Sequence, residues 1–342
     1  MDLKMFAERL GISQSTVSRA LAGHEQISAK TRQRVAEAAA ELGYRPNQAA
    51  RRLATGRANA IGLVFPLARL LMAQTNFVDV LAGITGALKQ RDFDLVLAPF
   101  DEDDEESILR RLAATRSVDG IIVTRARVHD YRVPLLHSLG LPFILHGRTE
   151  TDTPYSFVDI DNEAIFMKPA NLLLNLGHKR IATLNGLPEF MYSATRRRGF
   201  HRACEARGIL PDPALQHETS MTEESGYALT MQMLASPSPP TAIICGALFL
   251  AQGVYRALKE HALQPGRDIS VIAHDDQLRG IHANSFEPSL TTTAASVRLS
   301  GEHLGEFIVD QILHPEKNIQ PKQDIAPVDL VVRDSIGPPP GR

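Results

Sequence analysis

The sequence predicts an all-α helix-turn-helix head followed by an α/β body of two doubly wound, parallel-sheet lobes. Helical spacing of apolar residues dominates the first 57 residues. From residue 60 onward, short apolar runs alternate with amphipathic stretches, which is typical of parallel strands joined by helical crossovers. The body has about 275 residues, more than one such sheet needs, so we expect two lobes.

The head opens with two short helices separated by a glycine. Apolar residues recur at helical spacing from residue 3 to residue 10, and Gly11 favours a left-handed turn that ends the first helix. Ser13 is suited to cap a second helix, Gln14–Leu21, and Asp2 is suited to cap the first.

Two further helical segments follow in the head. Ser28 is suited to cap a helix over Ala29–Leu42, whose apolar stripe predicts burial on one side. Asn47–Ala54 is compatible with a helix, but an isolated helix of about eight residues is marginal in water.

The body alternates between predicted strands and predicted helices. The strands are Ile61–Phe65, Leu95–Ala98, Gly120–Val123, Phe143–Leu145, Arg180–Leu184, Thr241–Ile244 and Ile269–Ile272. The helices between them are Val78–Arg91, Glu105–Ala114, Ile165–Leu176, Arg196–Arg207, Ser225–Leu234 and Leu250–His261.

The charge is distributed unevenly. The net charge of the chain is −2, but residues 1–57 carry +5 and the remainder carries −7. A basic head on an acidic body predicts a polyanionic partner for the head alone. Gln14 and Arg19 of the second helix can make two-point contacts with base edges in a major groove. On helix pattern alone, a helical cap with a solvated polar face remains an equal alternative.

Composition and motifs argue against several other classes of protein. No apolar run approaches the roughly 20 residues of a membrane helix, and the acidic, amphipathic start is no secretory signal. Cys204 and Cys245 are too few for a disulfide framework or a structural zinc site. P-loop, G-x-G-x-x-G, H-E-x-x-H and G-x-S-x-G motifs are absent. We therefore expect a cytoplasmic protein that is not an enzyme and holds no cofactor or metal.

The chain resembles the LacI/GalR transcription factors over nearly its whole length. In the head the resemblance rests on STVSRAL, ISAKTRQRV and LGYRPNQAARRL at near-fixed spacing. In the body it rests on LNLGHKRIATLNG, RRRGF, PTAII, ISVIAHDD and PSLTT. The resemblance implies a homodimeric repressor of carbohydrate-utilisation genes that binds a pseudopalindromic operator. It also implies a small-molecule effector, a sugar, that switches the regulator.

The resemblance assigns seven residues to DNA contact. Three would read bases, three would contact phosphates, and one leucine of a hinge helix would enter the minor groove and kink the duplex. In that order they are Gln14, Ser15 and Arg19; Thr16, Ser18 and Asn47; and Leu53. The alternatives are ordinary exposed positions for Ser18 and Arg19, and packing of Leu53 against the protein.

The resemblance also implies a periplasmic-binding-protein-like body with a ligand cleft between its lobes, at the carboxyl ends of the strands. The residues assigned to the ligand are Asn76, Phe77, His146, Arg196, Met221 and Asp275. Arg196 and Asp275 would grip hydroxyl groups, and the alternatives are a solvated helix start for Arg196 and a capping role for Asp275. Relatives usually carry Asn-Asp where this chain has Ala247 and Leu248. We therefore expect less polar recognition on that side.

The expected domains follow from these assignments. They are a DNA-binding domain at 1–46, a hinge helix at 47–57, a ligand-binding and dimerisation body at 58–335, and a tail at 336–342. Within the body, the first lobe is expected at about 58–158 and 289–320, and the second at about 159–288 and 321–335. A secreted solute-binding receptor and a nucleoid-type DNA binder without ligand control are the rival interpretations.

Overall fold

The computed structural model describes residues 1–21, 26–44, 56–66, 75–101, 104–316 and 320–341. Within these residues the chain divides into two compact units, Met1–Asn59 and Ala60–Arg342. The predicted fold class is confirmed, because the first unit is helical and the second contains two largely parallel sheets.

The described residues of the first unit form three helices: α1 (Leu3–Leu10), α2 (Gln14–Leu21) and α3 (Ala29–Glu41). Asp2 caps α1, since its carboxylate accepts the N–H of Met5 at 2.8 Å. Gly11 ends α1 in the left-handed conformation, with φ of 65°. Each of these features was predicted from the local sequence.

The core of the first unit is formed by one face of each helix. Phe6 and Val17 are fully buried in it, as is Val35. The ring of Phe6 stacks on Tyr44, with centroids 4.2 Å apart. Burial of α1 and α3 against one face of α2 leaves the polar face of α2 exposed.

The first lobe of the second unit, called the N-lobe, is built on a parallel sheet ordered β11-β5-β4-β3-β1-β2. Its strands are β1 (Ala60–Pro66), β2 (Asp94–Phe100), β3 (Gly120–Val123), β4 (Phe143–His146), β5 (Ser156–Ile160) and β11 (Gln323–Ala326). Its helices are α4 (Thr75–Gln90), α5 (Glu105–Ala114), α6 (Arg132–Ser138) and α11 (Val297–Leu313).

The second lobe, called the C-lobe, has a sheet ordered β12-β10-β9-β8-β6-β7, in which only the β10–β12 pair is antiparallel. Its strands are β6 (Ile181–Asn185), β7 (Gln216–Glu218), β8 (Ala242–Cys245), β9 (Ser270–Asp275), β10 (Thr291–Ala294) and β12 (Asp329–Val331). Its helices are α7 (Asn162–Asn175), α8 (Met191–Glu205), α9 (Glu223–Leu234) and α10 (Leu248–Glu260).

The chain passes between the lobes three times: from β5 to α7, from β10 to α11, and from β11 to β12. The crossings correct the expected lobe boundaries. The range 289–320, assigned to the first lobe, begins with β10, which belongs to the C-lobe sheet. The range 321–335, assigned to the second lobe, begins with β11, which belongs to the N-lobe sheet. Strand partners are chosen by long-range packing, which local composition does not encode.

Several elements were not predicted. The strands β5 and β10 contain buried polar residues, Ser156 and Asp159 in β5 and Thr291–Thr293 in β10, which interrupt the apolar pattern of a central strand. Long helix α11 was also missed, and so were β7, β11, β12 and α6. None of the helices in the described ranges is long and apolar enough to cross a membrane.

Candidate functional site

A cavity of about 780 Å³ lies between the two lobes. Many of its wall residues lie at or just after the carboxyl ends of strands in both sheets, as predicted for this architecture, and others lie in helices α4 and α8. The N-lobe contributes Phe65, Asn76, Phe77, Thr124, Arg125, His146, Arg148 and Asp159. The C-lobe contributes Asn162, Phe190, Tyr192, Arg196, Met221, Ala247, Leu248 and Asp276.

Arg196 is the buried cation of the C-lobe wall, with 6% of its surface exposed. Its Nε donates to Oδ1 of Asn162 at 3.0 Å, and its Nη1 donates to the carbonyl of Gly246 at 2.9 Å. Nη2 is left without a hydrogen-bond partner among the described residues. Burial lowers the pKa of Arg196, and the nearby carboxylate of Asp276 opposes that shift. Arg196 is therefore buried within α8, and the alternative of a solvated helix start is wrong.

On the C-lobe side of the cavity, the wall carboxylate belongs to Asp276, not to the predicted Asp275. Asp275 does not line the cavity, and its Oδ1 accepts the backbone N–H of Gln277 at 2.7 Å. Asp275 is the last residue of β9 and Asp276 directly follows the strand, and of the two only Asp276 lines the cavity. Of these two adjacent aspartates, the structure therefore places Asp276, and not Asp275, on the cavity wall.

The buried side chain of His274 lies beside the carboxylate of Asp276. Its Nε2 lies 3.4 Å from Oδ1 of Asp276, and its Nδ1 lies 3.1 Å from Oγ1 of Thr293. Burial would raise the pKa of Asp276, but His274 and Arg196 together hold that pKa below its ordinary value. A carboxylate that stays ionised is a strong acceptor for ligand hydroxyl groups.

A hydrogen-bonded chain connects the N-lobe wall to Arg196. Nε of Arg148 pairs with Oδ2 of Asp159 at 2.7 Å, and Oδ1 of Asp159 accepts from Nδ2 of Asn162 at 2.9 Å. Asn162 in turn accepts from Arg196. Burial raises the pKa of Asp159, although the ion pair with Arg148 opposes this. Burial also lowers the pKa of His146, a neighbouring wall residue.

The remaining wall is largely apolar and aromatic. The ring centroids of Phe65 and Phe77 lie 5.6 Å apart on the N-lobe side. In the C-lobe, the side chains of Met221 and Arg196 both lie close to Gly246. A Cβ atom added to Gly246 would lie 3.0 Å from Cε of Met221 and 3.3 Å from Nη1 of Arg196. An apolar ring face and hydroxyl groups could both be accommodated by these surfaces.

Ala247 and Leu248 lie in the cavity wall where the sequence departs from the expected Asn-Asp pair. Ala247 occupies the N-cap position of α10 in an extended conformation, and no side chain caps this helix among the described residues. The first N–H groups of α10 therefore lack the partner that a capping side chain would supply.

The cavity brings together five of the six predicted ligand residues: Asn76, Phe77, His146, Arg196 and Met221. Sequence reasoning missed Phe190, Tyr192, Asn162 and Arg125. Asn162 begins α7 directly after β5, so recognising β5 would have placed it at a strand end. Arg125 follows predicted strand β3, so the same rule would have found it.

The head presents α2 as its exposed polar element. Gln14, Ser15, Ser18 and Arg19 are exposed on it, and Thr16 is half-buried. The helix is fixed by Val17 and Ala20, which pack into the core on the opposite face. The five predicted DNA-contact residues in α2 therefore share one element whose polar side is open.

Ser13 organises the start of α2. Its Oγ accepts the N–H of Thr16 at 3.1 Å and lies 2.8 Å from Oγ of Ser15 and Oγ1 of Thr16. Ser13 therefore acts as the predicted N-cap and orders two hydroxyl groups beside the first turn. The predicted contacts Asn47 and Leu53, and the rest of 45–55, lie outside the described residues.

Residues 3–47 match the family model described as bacterial regulatory proteins of the lacI family, and residues 170–336 match the periplasmic binding protein-like domain. The chain is 43% identical to the HTH-type transcriptional regulator AglR of Rhizobium meliloti (strain 1021), over 100% of this chain and 96% of that protein.

Two solved structures resemble the whole chain. A lac repressor dimer bound to operator and the anti-inducer ONPF has a TM-score of 0.81 and 27% identity, covering 98% of each chain. A complex of the transcriptional regulator CelR with cellobiose has a TM-score of 0.72 and 28% identity, covering 98% of this chain and 99% of that one.

Proposed function

The chain belongs to the LacI family of bacterial regulatory proteins and is a ligand-responsive, DNA-binding regulator, not an enzyme, and we propose which molecules it binds and how it acts. We propose that it is a homodimeric repressor that recognises a pseudopalindromic operator. Its effector is a sugar held between the lobes of the body. The genes it controls are those of carbohydrate utilisation.

The observation that carries the proposal is the pairing of charge and aromatic surface in one cavity. Arg196 and Asp276 supply a buried cation and an ionised carboxylate on the C-lobe wall. Phe77 lies on the N-lobe wall. Sugars present vicinal hydroxyl groups around a ring with apolar C–H faces, so charged acceptors and donors suit the rim and an aromatic ring suits the face.

The size of the cavity favours more than one sugar ring. Its volume of about 780 Å³ lies within the range of cavities that bury drug-sized ligands, on the order of 300–1,000 Å³. The solved complex of CelR holds cellobiose, and that regulator resembles this chain over nearly its full length. Disaccharides and trisaccharides are therefore the first ligands to test.

The proposed DNA interface is the exposed side of α2. Gln14, Ser15 and Arg19 read bases, while Thr16 and Ser18 contact phosphates. Asn47 at a phosphate and Leu53 as a minor-groove wedge complete the proposed set. Domain roles follow the same division: 1–46 binds DNA, 47–57 forms the hinge, and 58–335 binds ligand and dimerises.

A two-part experiment tests this function. First, thermal unfolding of the full chain is measured against a panel of mono-, di- and trisaccharides, with Arg196→Ala as the matched control. A sugar ligand raises the melting temperature of the wild type and leaves that of the variant unchanged, because only the folded cavity binds it. If no sugar in the panel stabilises the wild type, the sugar proposal is wrong.

Second, the operator is selected from random duplexes and its affinity is measured with and without the sugar that stabilises the chain. Repression by operator occupancy predicts that the sugar lowers this affinity. The logarithm of the association constant should also fall with the logarithm of salt concentration, by about 0.9 for each phosphate neutralised. A salt-insensitive complex would contradict the proposed phosphate contacts.

A further inference from the structure

The two lobes are joined by a short backbone pairing beside the cavity. The N–H of Val128 in the N-lobe donates to the carbonyl of Glu189 in the C-lobe at 3.1 Å. The N–H of Met191 donates back to the carbonyl of Ala126 at 3.0 Å. These bonds flank an antiparallel bridge between Arg127 and Phe190. The pairing is separate from the three chain crossings, so the chain does not require it in order to connect the lobes.

The N-lobe side of the pairing is held by a buried ionic cluster. Arg132 is 5% exposed and pairs with Oδ2 of Asp130 at 2.6 Å and with Oε1 of Glu105 at 2.9 Å. Glu105 also accepts from Arg127 at 3.1 Å, and Asp130 accepts the N–H of Arg127 at 3.1 Å. These contacts all lie within the N-lobe, so the cluster holds residues 127–132 in place independently of the C-lobe.

Arg132 also controls the backbone at the start of the segment. Arg125 adopts a left-handed conformation with φ of 57°, which side-chain-bearing residues rarely occupy. Nη2 of Arg132 donates to the carbonyl of Arg125 at 3.1 Å and stabilises this turn. The turn sends residues 126–128 antiparallel to 189–191, and it places the guanidinium of Arg125 4.6 Å from the ring centroid of Phe190.

The C-lobe side of the pairing leads directly to the ligand cavity. Met191 is the first residue of α8, and the same helix carries Tyr192 and Arg196 into the cavity wall. Phe190 stacks on Tyr192 with centroids 5.8 Å apart, and the guanidinium of Arg196 lies 5.0 Å from the Tyr192 ring centroid. Separation of the lobes at this edge breaks the contacts of Arg125 and Ala126 with the start of α8.

We propose that residues 125–128 and 189–191 form an interlobe latch, with Arg132 as the residue that positions it. The latch holds the lobes together at one edge of the cavity without a ligand, and its opening is the step that admits the effector. The role in effector entry rests on the proposed function, whereas the latch itself does not.

A reversible cross-link tests whether the latch is formed in the free protein. Arg127 and Phe190 form a non-hydrogen-bonded antiparallel pair, whose Cα atoms are typically about 4.5 Å apart, within disulfide range. The full-length double variant Arg127→Cys/Phe190→Cys is treated with glutathione disulfide, without sugar or DNA. The native Cys204 and Cys245 are buried and do not compete.

A latch that is closed at rest predicts an intramolecular disulfide in most molecules, seen as the loss of two hydrogens by mass spectrometry. The same preparation after reduction is the control, since it differs only by the bond. The X-ray scattering profile of the oxidised form should match that of the unmodified chain. Failure to form the bond, or a more compact oxidised form, would overturn the closed latch.

A single hydrogen-bond deletion provides the complementary test. Met191→Pro removes the N–H that donates to Ala126, and proline is well tolerated at the first residue of a helix. Phe190 already has the extended backbone favoured before proline, with ψ of 135°. Met191→Ala is the matched control, because it removes the side chain and keeps the N–H.

Hydrogen exchange of the peptide covering 125–129 should be about 2- to 12-fold faster in Met191→Pro than in Met191→Ala, as expected for one lost hydrogen bond. Equal exchange in the two variants means that the lobes do not depend on this pairing, and the latch is then rejected. Both tests are made without ligand or operator. Failure of the sugar screen therefore leaves the latch standing, and failure of these tests leaves the ligand site standing.

Discussion

At the scale of single residues, the adjacent carboxylates of Asp275 and Asp276 have different environments. Burial raises the pKa of Asp275, whose side chain is turned toward the backbone of Gln277. Asp276 faces the cavity, and His274 and Arg196 keep it ionised. The two aspartates are thus a natural pair for separating ligand contact from loop structure.

Asp276→Asn should weaken binding of the effector by roughly 10- to 150-fold, because a charge-assisted hydrogen bond to a buried hydroxyl group is lost. Asp275→Asn is the matched control and should change the affinity by less than about threefold, since its side chain has no cavity contact. Isothermal titration with the sugar found in the screen measures both. The reverse order of effects would restore Asp275 as the ligand residue.

Arg19→Ala should relax base preference at one symmetric pair of operator positions, at a cost of roughly 1–3 kcal/mol per lost base contact. Arg19 is exposed on α2, so the variant should keep the fold of the head. Binding is measured against duplexes substituted at each position. Ser18→Ala is the comparison, because loss of a phosphate contact weakens all sequences alike. Uniform weakening by Arg19→Ala would reassign Arg19 to phosphate contact.

At the scale of elements, α10 and α8 are the two C-lobe helices that have no side-chain cap among the described residues. Helices α7 and α9 are capped by Asp161 and Thr222, whereas the N-cap residue of α10 is Ala247, whose side chain has no hydrogen-bond acceptor. The backbone of Ala247 is already extended, with φ of −156° and ψ of 158°, as an N-cap residue requires. A short polar side chain at this position could therefore cap the helix without rearranging it.

Ala247→Ser should stabilise the body by about 0.5–2 kcal/mol, as measured by urea denaturation, because its hydroxyl accepts an N–H of the first turn of α10. Ala247→Val is the control, since valine adds bulk without an acceptor and should not stabilise. The serine also adds a hydroxyl group to the cavity wall. Equal or lower stability of the serine variant would show that the uncapped N–H groups are satisfied in another way.

At the scale of the whole molecule, buried histidines should make stability depend on pH. Burial lowers the pKa values of His146, His178 and His217 below their ordinary value. The unfolded chain then binds more protons than the folded chain as the pH falls through that value, so stability decreases with falling pH. Asp159 and Asp275 have raised pKa values and act in the opposite direction, at lower pH.

The free energy of unfolding should therefore be smaller at about pH 5.5 than at about pH 7.5. His146→Asn should reduce this difference, because asparagine has no charge to gain in the cavity wall. Urea denaturation at both pH values, for the wild type and the variant, measures the change. A variant with the same pH dependence as the wild type would show that the pKa of His146 is the same in the folded and the unfolded chain.

The sequence by itself determined the features that depend on local patterns. Helical spacing, a glycine turn and the caps Asp2, Ser13 and Ser28 predicted the three helices in the described part of the head within one residue of their observed ends. Apolar runs identified seven of the twelve described strands, and the resemblance to the LacI/GalR family identified five residues of the cavity wall. These features are local because hydrogen-bonding periodicity and capping are set by residues a few positions apart.

The tertiary structure decided which distant segments meet and which way each side chain points. Strand β10 lies in the C-lobe and β11 in the N-lobe, the reverse of the assignment expected from sequence, because sheet partners are selected by packing across the whole chain. The choice of Asp276 over Asp275 depends on the course of the backbone where β9 ends, which leaves only the second of the two side chains on the cavity wall. The pairing of 126–128 with 189–191 joins segments about sixty residues apart that carry no local signal for each other. Long-range contacts of this kind form only when both lobes have folded, so they are properties of the assembled molecule.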